Sequence, residues 1–304
     1  MDGCKQVLSD IITSEAARSE YNSFYALELL GEPMWEPPII GFASGADAYF
    51  QFCRSDIGEF FWTPSEAFQL KFKERPRKDS DLTVVSIAYP QTKATKADQR
   101  VSCGRPSARW SVTRGEWEKF NSSVCAKALA EMENIGICAV AIDLLPEFRN
   151  RNSIKYGAAS SWSHRHAAYA AGLGTFGLSD GLITRRGKAM RFTTIIVDKI
   201  VEADARPYSQ YNEWCLFYKD ETCGECVIRC PVGAISKAGH DKMRCEAYLE
   251  HLLKNIPPQI AAEDKSHYYG CGLCQSRIPC EDGIPERAAV GMQGKERGND
   301  GEEN

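Results

Sequence analysis

Eight of the thirteen cysteines in this 304-residue chain lie between residues 215 and 280. They are Cys215, Cys223, Cys226, Cys230, Cys245, Cys271, Cys274 and Cys280. The N-terminus, MDGCKQVLSD, has no basic region followed by an apolar stretch, so we expect no secretory signal and a cytoplasmic location. In a reducing compartment, clustered cysteines indicate bound metal more often than disulfides. The cysteines therefore predict metal centres in the C-terminal third of the chain.

The spacing of these cysteines indicates iron–sulfur clusters. The run Cys223–Pro231 reads C-x2-C-x3-C-P, which is the last part of the ligand run of bacterial ferredoxins. Asp220 stands where the first cysteine of that run is usual, and Cys215 can replace it through a longer loop. In two-cluster ferredoxins the last cysteine of the run ligates the other cluster. Eight cysteines therefore supply two sites of four ligands each.

We assign the eight cysteines to two [4Fe–4S] clusters. One is held by the Cys215 set, which is Cys215, Cys223, Cys226 and Cys280; the other is held by the Cys230 set, which is Cys230, Cys245, Cys271 and Cys274. Structural zinc is an alternative, because two C-x2-C pairs suit tetrahedral zinc, and one cluster plus one zinc ion is a mixed alternative. Zinc explains neither the proline after Cys230 nor the total of eight. The other five cysteines are expected to be buried apolar residues or free thiols: Cys4, Cys53, Cys103, Cys125 and Cys138.

Upstream of the cysteines, mixed helical and strand patterns predict an α+β core. We expect a helix over 4–30, an irregular packed segment over 31–64, a strand over 82–89, a surface loop over 91–105, a helix over 115–134, a strand over 137–145, a helix over 162–171 and a β-hairpin over 181–198. The hairpin tip Arg185-Arg186-Gly187-Lys188 would be a small basic patch or a solvated turn. Three parts follow: a core over 1–205, a two-cluster module over 206–283 and a disordered tail over 284–304.

A glycine motif in the core, Gly172-x-Gly174-x-x-Gly177, has the spacing of dinucleotide-binding loops. Such a loop leaves a strand and opens a helix, so that amides at the helix N-terminus face a pyrophosphate. Here the glycines follow a predicted helix and lead into a predicted strand, which is the reverse order. The sequence therefore predicts a helix C-terminus at Gly172 followed by a tight turn, and it argues against a Rossmann domain.

The segment HRHAAYAAGLGTFGLSDGLITRRGKAMRF (164–192), followed by the two-cluster cysteine pattern, resembles epoxyqueuosine reductases and, beyond them, reductive dehalogenases. The resemblance covers roughly residues 80–283. It implies a nitroreductase-like core that binds cobalamin, followed by a bacterial-ferredoxin-like module whose clusters pass electrons to cobalt. The cofactor-binding residues that it implies are Arg165, Tyr169, Gly172, Gly174, Thr175 and Gly177.

The chain departs from epoxyqueuosine reductases in features that concern the substrate. Those enzymes carry an acidic proton donor about fourteen residues before the first glycine, a position that Ala158 occupies in this chain. They often have a C-terminal helical-repeat region that helps to hold tRNA, whereas here a short acidic tail follows Cys280. A formal net charge of −4, with no concentrated basic stripe, argues against wrapping nucleic acid. We therefore expect a small-molecule substrate rather than tRNA.

Reductive cleavage needs single electrons and usually a proton. The candidate catalytic residues are Asp143 at the end of a buried strand, Tyr156 and His164; each also has a structural interpretation as a turn, packing or surface residue. His164 and His166 are two apart on one helix and do not share a face, so we expect at least one at the surface.

Three arginines are further candidates for contacts with a ligand. Arg165, together with Arg109 or Arg114, could bind cofactor amides or an anionic substrate, or could be solvent-exposed.

The sequence favours an iron–sulfur oxidoreductase that receives electrons from a low-potential donor such as ferredoxin or flavodoxin. The alternatives are an electron carrier without its own substrate, a true tRNA epoxyqueuosine reductase and an iron–sulfur sensor. About 200 residues precede the cluster cysteines, which is more than a carrier needs. No apolar run approaches the roughly 20 residues of a membrane helix, so we expect no membrane partner.

Overall fold

The computed structural model describes residues 3–29, 31–262 and 265–289. Within these ranges the chain combines helices and strands, as the α+β prediction requires. The helices are α1 (Gly3–Arg18), α2 (Ala48–Ile57), α3 (Pro64–Lys71), α4 (Lys93–Val101), α5 (Ala108–Gly115), α6 (Trp117–Asn134), α7 (His164–Ala170), α8 (Leu216–Asp220), α9 (Glu225–Arg229), α10 (Lys242–Lys254) and α11 (Glu286–Ala289). The strands are β1 (Ile39–Ser44), β2 (Thr83–Pro90), β3 (Ala139–Ala141), β4 (Asn150–Ser153), β5 (Gly157–Ser160), β6 (Gly174–Phe176), β7 (Leu182–Thr184), β8 (Met190–Val197), β9 (Ile235–Ser236) and β10 (Gly239–His240). Among these described helices, none has the length and apolar character needed to cross a membrane.

Four antiparallel strands form the central sheet, in the order β1–β2–β8–β3. All eight residues of β2 are buried, because alternate side chains enter two cores on opposite faces of the sheet. One core contains Leu8 of α1 and Phe120 of α6. The other contains Phe50 of α2 and Phe68 of α3, together with alanines of α7. The sheet is thus enclosed between two helical layers.

The outer strand β3 is much shorter than its neighbour β8. β3 pairs with residues 195–197 of β8, whereas β2 pairs with β8 over the whole of 190–197. In the described part of the chain, residues 190–194 therefore have a paired strand on one side only. The strand predicted over 137–145 is correspondingly too long, because a 3-10 turn over Ile142–Leu144 follows β3 directly. This exposed edge of β8 is where a cavity can form.

Other elements agree with the sequence or lie partly beyond the described residues. The strand predicted over 82–89 and the helices predicted over 115–134 and 162–171 are confirmed as β2, α6 and α7. Of the tail predicted over 284–304, residues 284–289 are described, with Glu286–Ala289 as the short helix α11, and residues 290–304 lie outside the described residues.

The helix predicted over 4–30 is wrong beyond Arg18, where α1 ends. The side chain of Asn22 then accepts a hydrogen bond from the Trp35 amide at 2.9 Å and donates to the Trp35 carbonyl. Through these two bonds the chain reverses its direction after α1. Their partner, Trp35, lies outside the predicted helix, so the helical pattern could not reveal them.

The irregular segment predicted over 31–64 is also wrong, because it contains β1 and α2. α2 begins after Asp47, whose side chain accepts a hydrogen bond from the Tyr49 amide. β1 exists through its pairing with β2, about forty residues further along the chain, so the local Gly and Pro content concealed it.

The surface loop predicted over 91–105 is wrong, since this segment forms α4. The face of α4 that is buried is polar. Lys96 Nζ lies 2.6 Å from Asp282 Oδ1, and Gln99 Nε2 donates to the carbonyl of Cys271 at 2.8 Å. A helix whose buried face is polar has no apolar stripe, so hydrophobic periodicity cannot reveal it.

The β-hairpin predicted over 181–198 is wrong, because β7 pairs with β6 while β8 pairs with β2 and β3. The basic patch predicted at its tip is wrong for Lys188, which is buried. Arg185 and Arg186 are exposed, and Arg186 also forms an ion pair with Glu36. The partner of β7 lies a few residues upstream, whereas the partners of β8 come from distant parts of the chain, which the local hairpin pattern could not show.

The predicted end of α7 at Gly172 is confirmed. Gly172 has a φ of +73°, a conformation that glycine adopts without steric cost. Its amide donates to the Tyr169 carbonyl, and the Leu173 amide donates to the Ala168 carbonyl at 3.0 Å, which is a Schellman-type helix end. The chain then enters β6. The motif therefore ends a helix and enters a strand, the reverse of a dinucleotide-binding loop.

Candidate active site and cysteine cavities

The eight clustered cysteines line two cavities, four in each. The smaller cavity is lined by the Cys215 set, Cys215, Cys223, Cys226 and Cys280. The larger cavity, of about 540 Å³, is lined by the Cys230 set, Cys230, Cys245, Cys271 and Cys274, and by residues of the α+β core. The groups that share a cavity are the groups that the spacing assigns to one cluster; ligation itself stays a prediction.

The loop that carries Cys271 is held close to the core by a glycine. Gly272 has a φ of +61°, and a Cβ at this position would lie 2.0 Å from ring atoms of Trp110 in α5. Only a residue without a side chain permits this approach. The indole of Trp110 therefore positions the wall of the larger cavity.

Arg229, in the cysteine run itself, joins this loop to α4. Its Nη1 and Nη2 donate to the carbonyls of Ser102 and Gln99 at 3.0 and 3.1 Å. Its Nε and Nη2 also donate to Leu273 and to Ser276, at 3.2 to 3.4 Å. One guanidinium thus connects three segments of the chain, because its five donors form a rigid planar fork.

The thiols of the larger cavity have an environment that suits cluster ligands. The Ala234 amide donates to Cys230 Sγ at 3.2 Å, and N–H···S bonds of this kind are a recognised means of tuning cluster potentials. Burial raises the pKa of the Cys271 thiol to about 12, against a hydrogen bond from Leu273, and it raises the pKa of Cys245 to about 11. Without metal these thiols are protonated at neutral pH, so binding a cluster must release protons.

The choice between zinc and clusters rests on the spacing of the cysteines. In the residues that the structure describes, no group of three or more His, Cys, Asp or Glu side chains is arranged to hold a single metal ion. The proline after Cys230 and the total of eight cysteines remain the features that favour iron–sulfur clusters.

Lys188 lies between the two cavities and lines both of them. Only 3% of its surface is exposed, and its Nζ donates to Ser179 Oγ. In the described part of the chain no carboxylate forms an ion pair with it. Burial opposes its charge, but the pKa of Lys188 is nevertheless raised by cysteines of both sets, Cys280, Cys274, Cys226 and Cys215. A buried cation in this position requires negative charge nearby to compensate it.

The larger cavity lies beside the stretch of β8 that β3 leaves unpaired. Its core-side lining includes Gln91, Phe148, Trp162, Ser163, His164, Arg165, Met190, Arg191 and Phe192. Gln91 Nε2 donates to Thr113 Oγ1 at 3.0 Å, but Gln91 Oε1 is buried and has no hydrogen-bond partner among the described residues. An unsatisfied buried acceptor costs about 1–3 kcal/mol. Gln91 Oε1 is therefore available to accept a hydrogen bond from an N–H or O–H group in the cavity.

Asp143 and His164, both catalytic candidates from the sequence, are adjacent. His164 Nε2 lies 3.2 Å from Asp143 Oδ1, and His164 Nδ1 lies 2.9 Å from Thr194 Oγ1. Thr193 Oγ1 donates to Asp143 Oδ2. Burial opposes ionisation of Asp143, but His164, Thr193 and Asn121 together hold its pKa at about 2. Asp143 is therefore an ionised carboxylate at neutral pH that orients a histidine in the cavity wall.

Tyr156, the third catalytic candidate, lies apart from this pair. It is in the turn between β4 and β5, 40% exposed, and its hydroxyl donates to Asp56 Oδ2 at 2.7 Å. Burial and Asp56 raise the pKa of Tyr156. It is not part of the lining of the larger cavity.

The residues that the resemblance assigns to cofactor binding are divided between two places. Arg165 lines the larger cavity, where its guanidinium donates to the carbonyl of Asp180. Tyr169 packs in an aromatic group with Tyr49 and Phe176. The remaining four lie in the turn after α7 and in and after β6, outside the described lining of the cavity: Gly172, Gly174, Thr175 and Gly177. Of these, the Thr175 hydroxyl accepts a hydrogen bond from the Trp214 amide.

Both histidines of α7 are half-buried, so neither is the fully exposed surface residue that was expected. His166 stacks on Tyr49 and lies against Phe176, with Ser163 Oγ 2.6 Å from its Nδ1. Burial, followed by the charges of neighbouring cations, lowers the pKa of His166 to about 3. His166 is therefore a neutral packing residue, and His164 is the histidine that lines the cavity.

The arginines also differ in their surroundings. Arg109 is paired with Glu32 and Asp98, at 2.5 and 2.9 Å, and is not in the cavity lining. Arg114 is in the lining, as is Arg191, which the sequence analysis missed. The available signal was a single charge in the otherwise apolar strand β8, MRFTTIIV.

No family model matches the chain. Among curated proteins, the epoxyqueuosine reductase of Leadbetterella byssophila is 31% identical over 114 residues, which are 37% of this chain and 35% of that protein. The epoxyqueuosine reductase of Bacillus anthracis is 22% identical over 204 residues, which are 67% of this chain and 48% of that protein. The chain thus spans at most about half the length of these curated relatives.

Two solved structures are also similar to this chain, an epoxyqueuosine reductase and a reductive dehalogenase. An epoxyqueuosine reductase with an epoxyqueuosine-modified tRNA-Tyr stem loop is 16% identical, with a TM-score of 0.46 over 84% of this chain and 64% of that one. A catabolic reductive dehalogenase is 14% identical, with a TM-score of 0.48 over 88% of this chain and 32% of that one. The sequence relationship that the motifs indicated is confirmed: the chain is a relative of the curated epoxyqueuosine reductases.

Proposed function

We propose that this protein is an iron–sulfur reductase with two [4Fe–4S] clusters, one held by the Cys215 set and one by the Cys230 set. The observation that carries the proposal is the division of eight thiols between two cavities, four and four, in the groups that the spacing predicts. We further propose a nitroreductase-like core over 1–205, a bacterial-ferredoxin-like module over 206–283 and a tail over 284–304. An external low-potential carrier such as ferredoxin or flavodoxin delivers the electrons.

The larger cavity is the proposed place of reaction and of a cobalamin. Gln91 Oε1, buried and without a donor, suits the side-chain amides of a corrinoid, and Ser163 and Arg165 offer further polar contacts. A bound corrinoid would supply a metal that accepts single electrons and reacts with the substrate. Phe148 and Trp162 exclude water from the same wall. The cavity is continuous with the Cys230 set, which supports electron delivery at this point.

His164 is the proposed proton donor. It lines the cavity, and the ionised Asp143 lies 3.2 Å from its Nε2, which holds the imidazole in the cavity wall beside the reacting molecule. Asp143 itself is a poor donor, because its pKa of about 2 leaves it deprotonated at neutral pH. The role of Asp143 is to orient His164. The pair replaces the acid that is missing at Ala158.

The substrate is either a small molecule or an epoxyqueuosine-modified tRNA. The expectation that tRNA is not a partner has no support from the comparisons, because the curated relatives are named epoxyqueuosine reductases and one solved structure of that name contains a tRNA stem loop. The acidic net charge is the observation in favour of a smaller substrate. Both substrates use the same cavity.

Anaerobic purification with iron and sulfide analysis tests the cluster proposal. We expect about eight irons per chain, and stoichiometric zinc with little iron would overturn it. Titration with cob(II)alamin, followed by EPR, tests the cofactor: eight irons without cobalamin binding would favour an electron carrier. Incubation of the reduced protein with an epoxyqueuosine-containing tRNA stem loop separates the two substrate classes. Formation of queuosine would establish the tRNA substrate and exclude the small-molecule proposal.

A further inference from the structure

Of the three arginines in the described wall of the larger cavity, two are each fixed by an aromatic ring. Arg191 comes from β8 and Arg114 from the last turn of α5. The guanidinium carbon of Arg191 lies 5.4 Å from the ring centroid of Trp117, and that of Arg114 lies 4.1 Å from the ring centroid of Tyr269. The rings hold the two guanidinium groups in place, but they bring no negative charge.

The positive charge of this pair is poorly balanced. Arg114 has one carboxylate partner, Glu118, at 3.5 Å, and half of the Glu118 side chain is exposed. The backbone of Arg191 pairs with Tyr89 in the sheet, but in the described part of the chain the Arg191 side chain makes no ion pair and no hydrogen bond. Burial, followed by the like charge of Arg114, lowers the pKa of Arg191 to about 9. The nearby carboxylate of Asp143 is occupied by the histidine and threonine described above.

We propose that Arg191 and Arg114 form a binding site for an oxyanion, a phosphate or carboxylate group of the molecule that occupies the larger cavity. A guanidinium binds such a group through two parallel N–H···O bonds. The bound anion removes the repulsion between the two arginines and compensates a cation that is otherwise half-buried without a partner. The site itself is independent of the proposed function. Which ligand brings the anion rests on that function: the phosphodiester of a cobalamin nucleotide tail, or an anionic group of the substrate.

Inorganic phosphate is the probe for the site. The thermal stability of the anaerobically purified full chain is measured in phosphate and in chloride at equal ionic strength. We expect phosphate to raise the unfolding temperature of the wild type and of Arg185→Met, which removes an exposed arginine, but not that of Arg191→Met. An equal response in all three proteins would overturn the proposal. If Arg191→Met does not fold, Arg114→Met is compared with Arg185→Met in the same way.

Cobalamin and cobinamide, which lacks the nucleotide tail and its phosphate, distinguish the two sources of the anion. If the phosphodiester is the ligand, Arg191→Met weakens cobalamin binding roughly 10- to 100-fold and leaves cobinamide binding unchanged, as expected for lost charge-assisted hydrogen bonds. If affinity for both corrinoids is unchanged, the anion belongs to the substrate. Absence of cobalamin binding in the wild type contradicts the proposed cofactor, while the phosphate result still decides the arginine site.

Discussion

Arg229 lies in the cysteine run Cys223–Pro231. Its side chain binds both α4 of the core and the loop that carries Cys274. Arg229→Met removes five hydrogen bonds, four of them to backbone carbonyls. A hydrogen bond to a charged group contributes about 1.5–3 kcal/mol, but the five share one guanidinium and are not additive. The carbonyls left without a donor add a desolvation cost. We expect a total loss of roughly 3–5 kcal/mol.

For a chain of this length, each kcal/mol corresponds to about 2 °C, so the unfolding temperature should fall by roughly 6–10 °C. Anaerobic circular dichroism at a fixed scan rate measures this change, and iron analysis reports whether the Cys230 set still retains its cluster. Arg185→Met is the matched control, because Arg185 is exposed. Equal unfolding temperatures for the two variants would refute the assignment of Arg229 as the link between module and core.

Four further substitutions test the site. Lys188→Met should lower the midpoint potentials of both clusters by roughly 60 mV, because removing a buried positive charge worth about 1.4 kcal/mol disfavours the more negative reduced state. An EPR-monitored redox titration measures the potentials, and unchanged values would contradict the position of Lys188 between the two clusters. His164→Gln should leave iron content and cluster reduction intact and lower turnover of the accepted substrate about 10²- to 10⁴-fold, and wild-type turnover would exclude it as the proton donor. The pKa of Asp143 is about 2, below its usual 3.8, so Asp143 contributes stability above pH 3.8 that is lost as the pH falls toward 2. Asp143→Asn should therefore flatten the acid side of the curve of unfolding free energy against pH, and an unchanged curve would contradict the contacts of Asp143 with His164 and Thr193. Gly272→Ala should reduce the iron content toward one cluster, because its Cβ would lie 2.0 Å from an aromatic ring of α5, whereas Gly3→Ala, where the Cβ meets nothing within 4 Å, should not.

Features that depend on spacing along the chain could be predicted from the sequence. The cysteine intervals predicted two groups of four, and these line two cavities. The buried strand β2 and the end of α7 at Gly172 were also predictable, because an apolar run and a helix-terminating glycine are local signals. Asp143 and His164 were identified as separate candidates, since a carboxylate at a strand end and a histidine on a helix are local features as well.

The contacts that define the site could not be predicted in this way. The sequence by itself determined the grouping of the eight cysteines and the α+β class, because cysteine spacing and hydrophobic pattern are encoded over short intervals. Only the tertiary structure decided that Lys188 lies buried between the two cavities instead of at a hairpin tip, that Arg191 lies in the cavity wall, and that a polar helix joins the core to the cysteine loops. These outcomes depend on burial and pairing between segments far apart in the chain. A charged residue has the same local pattern whether it meets water or a buried anion, so its role becomes visible only when the strands and loops around it are assembled.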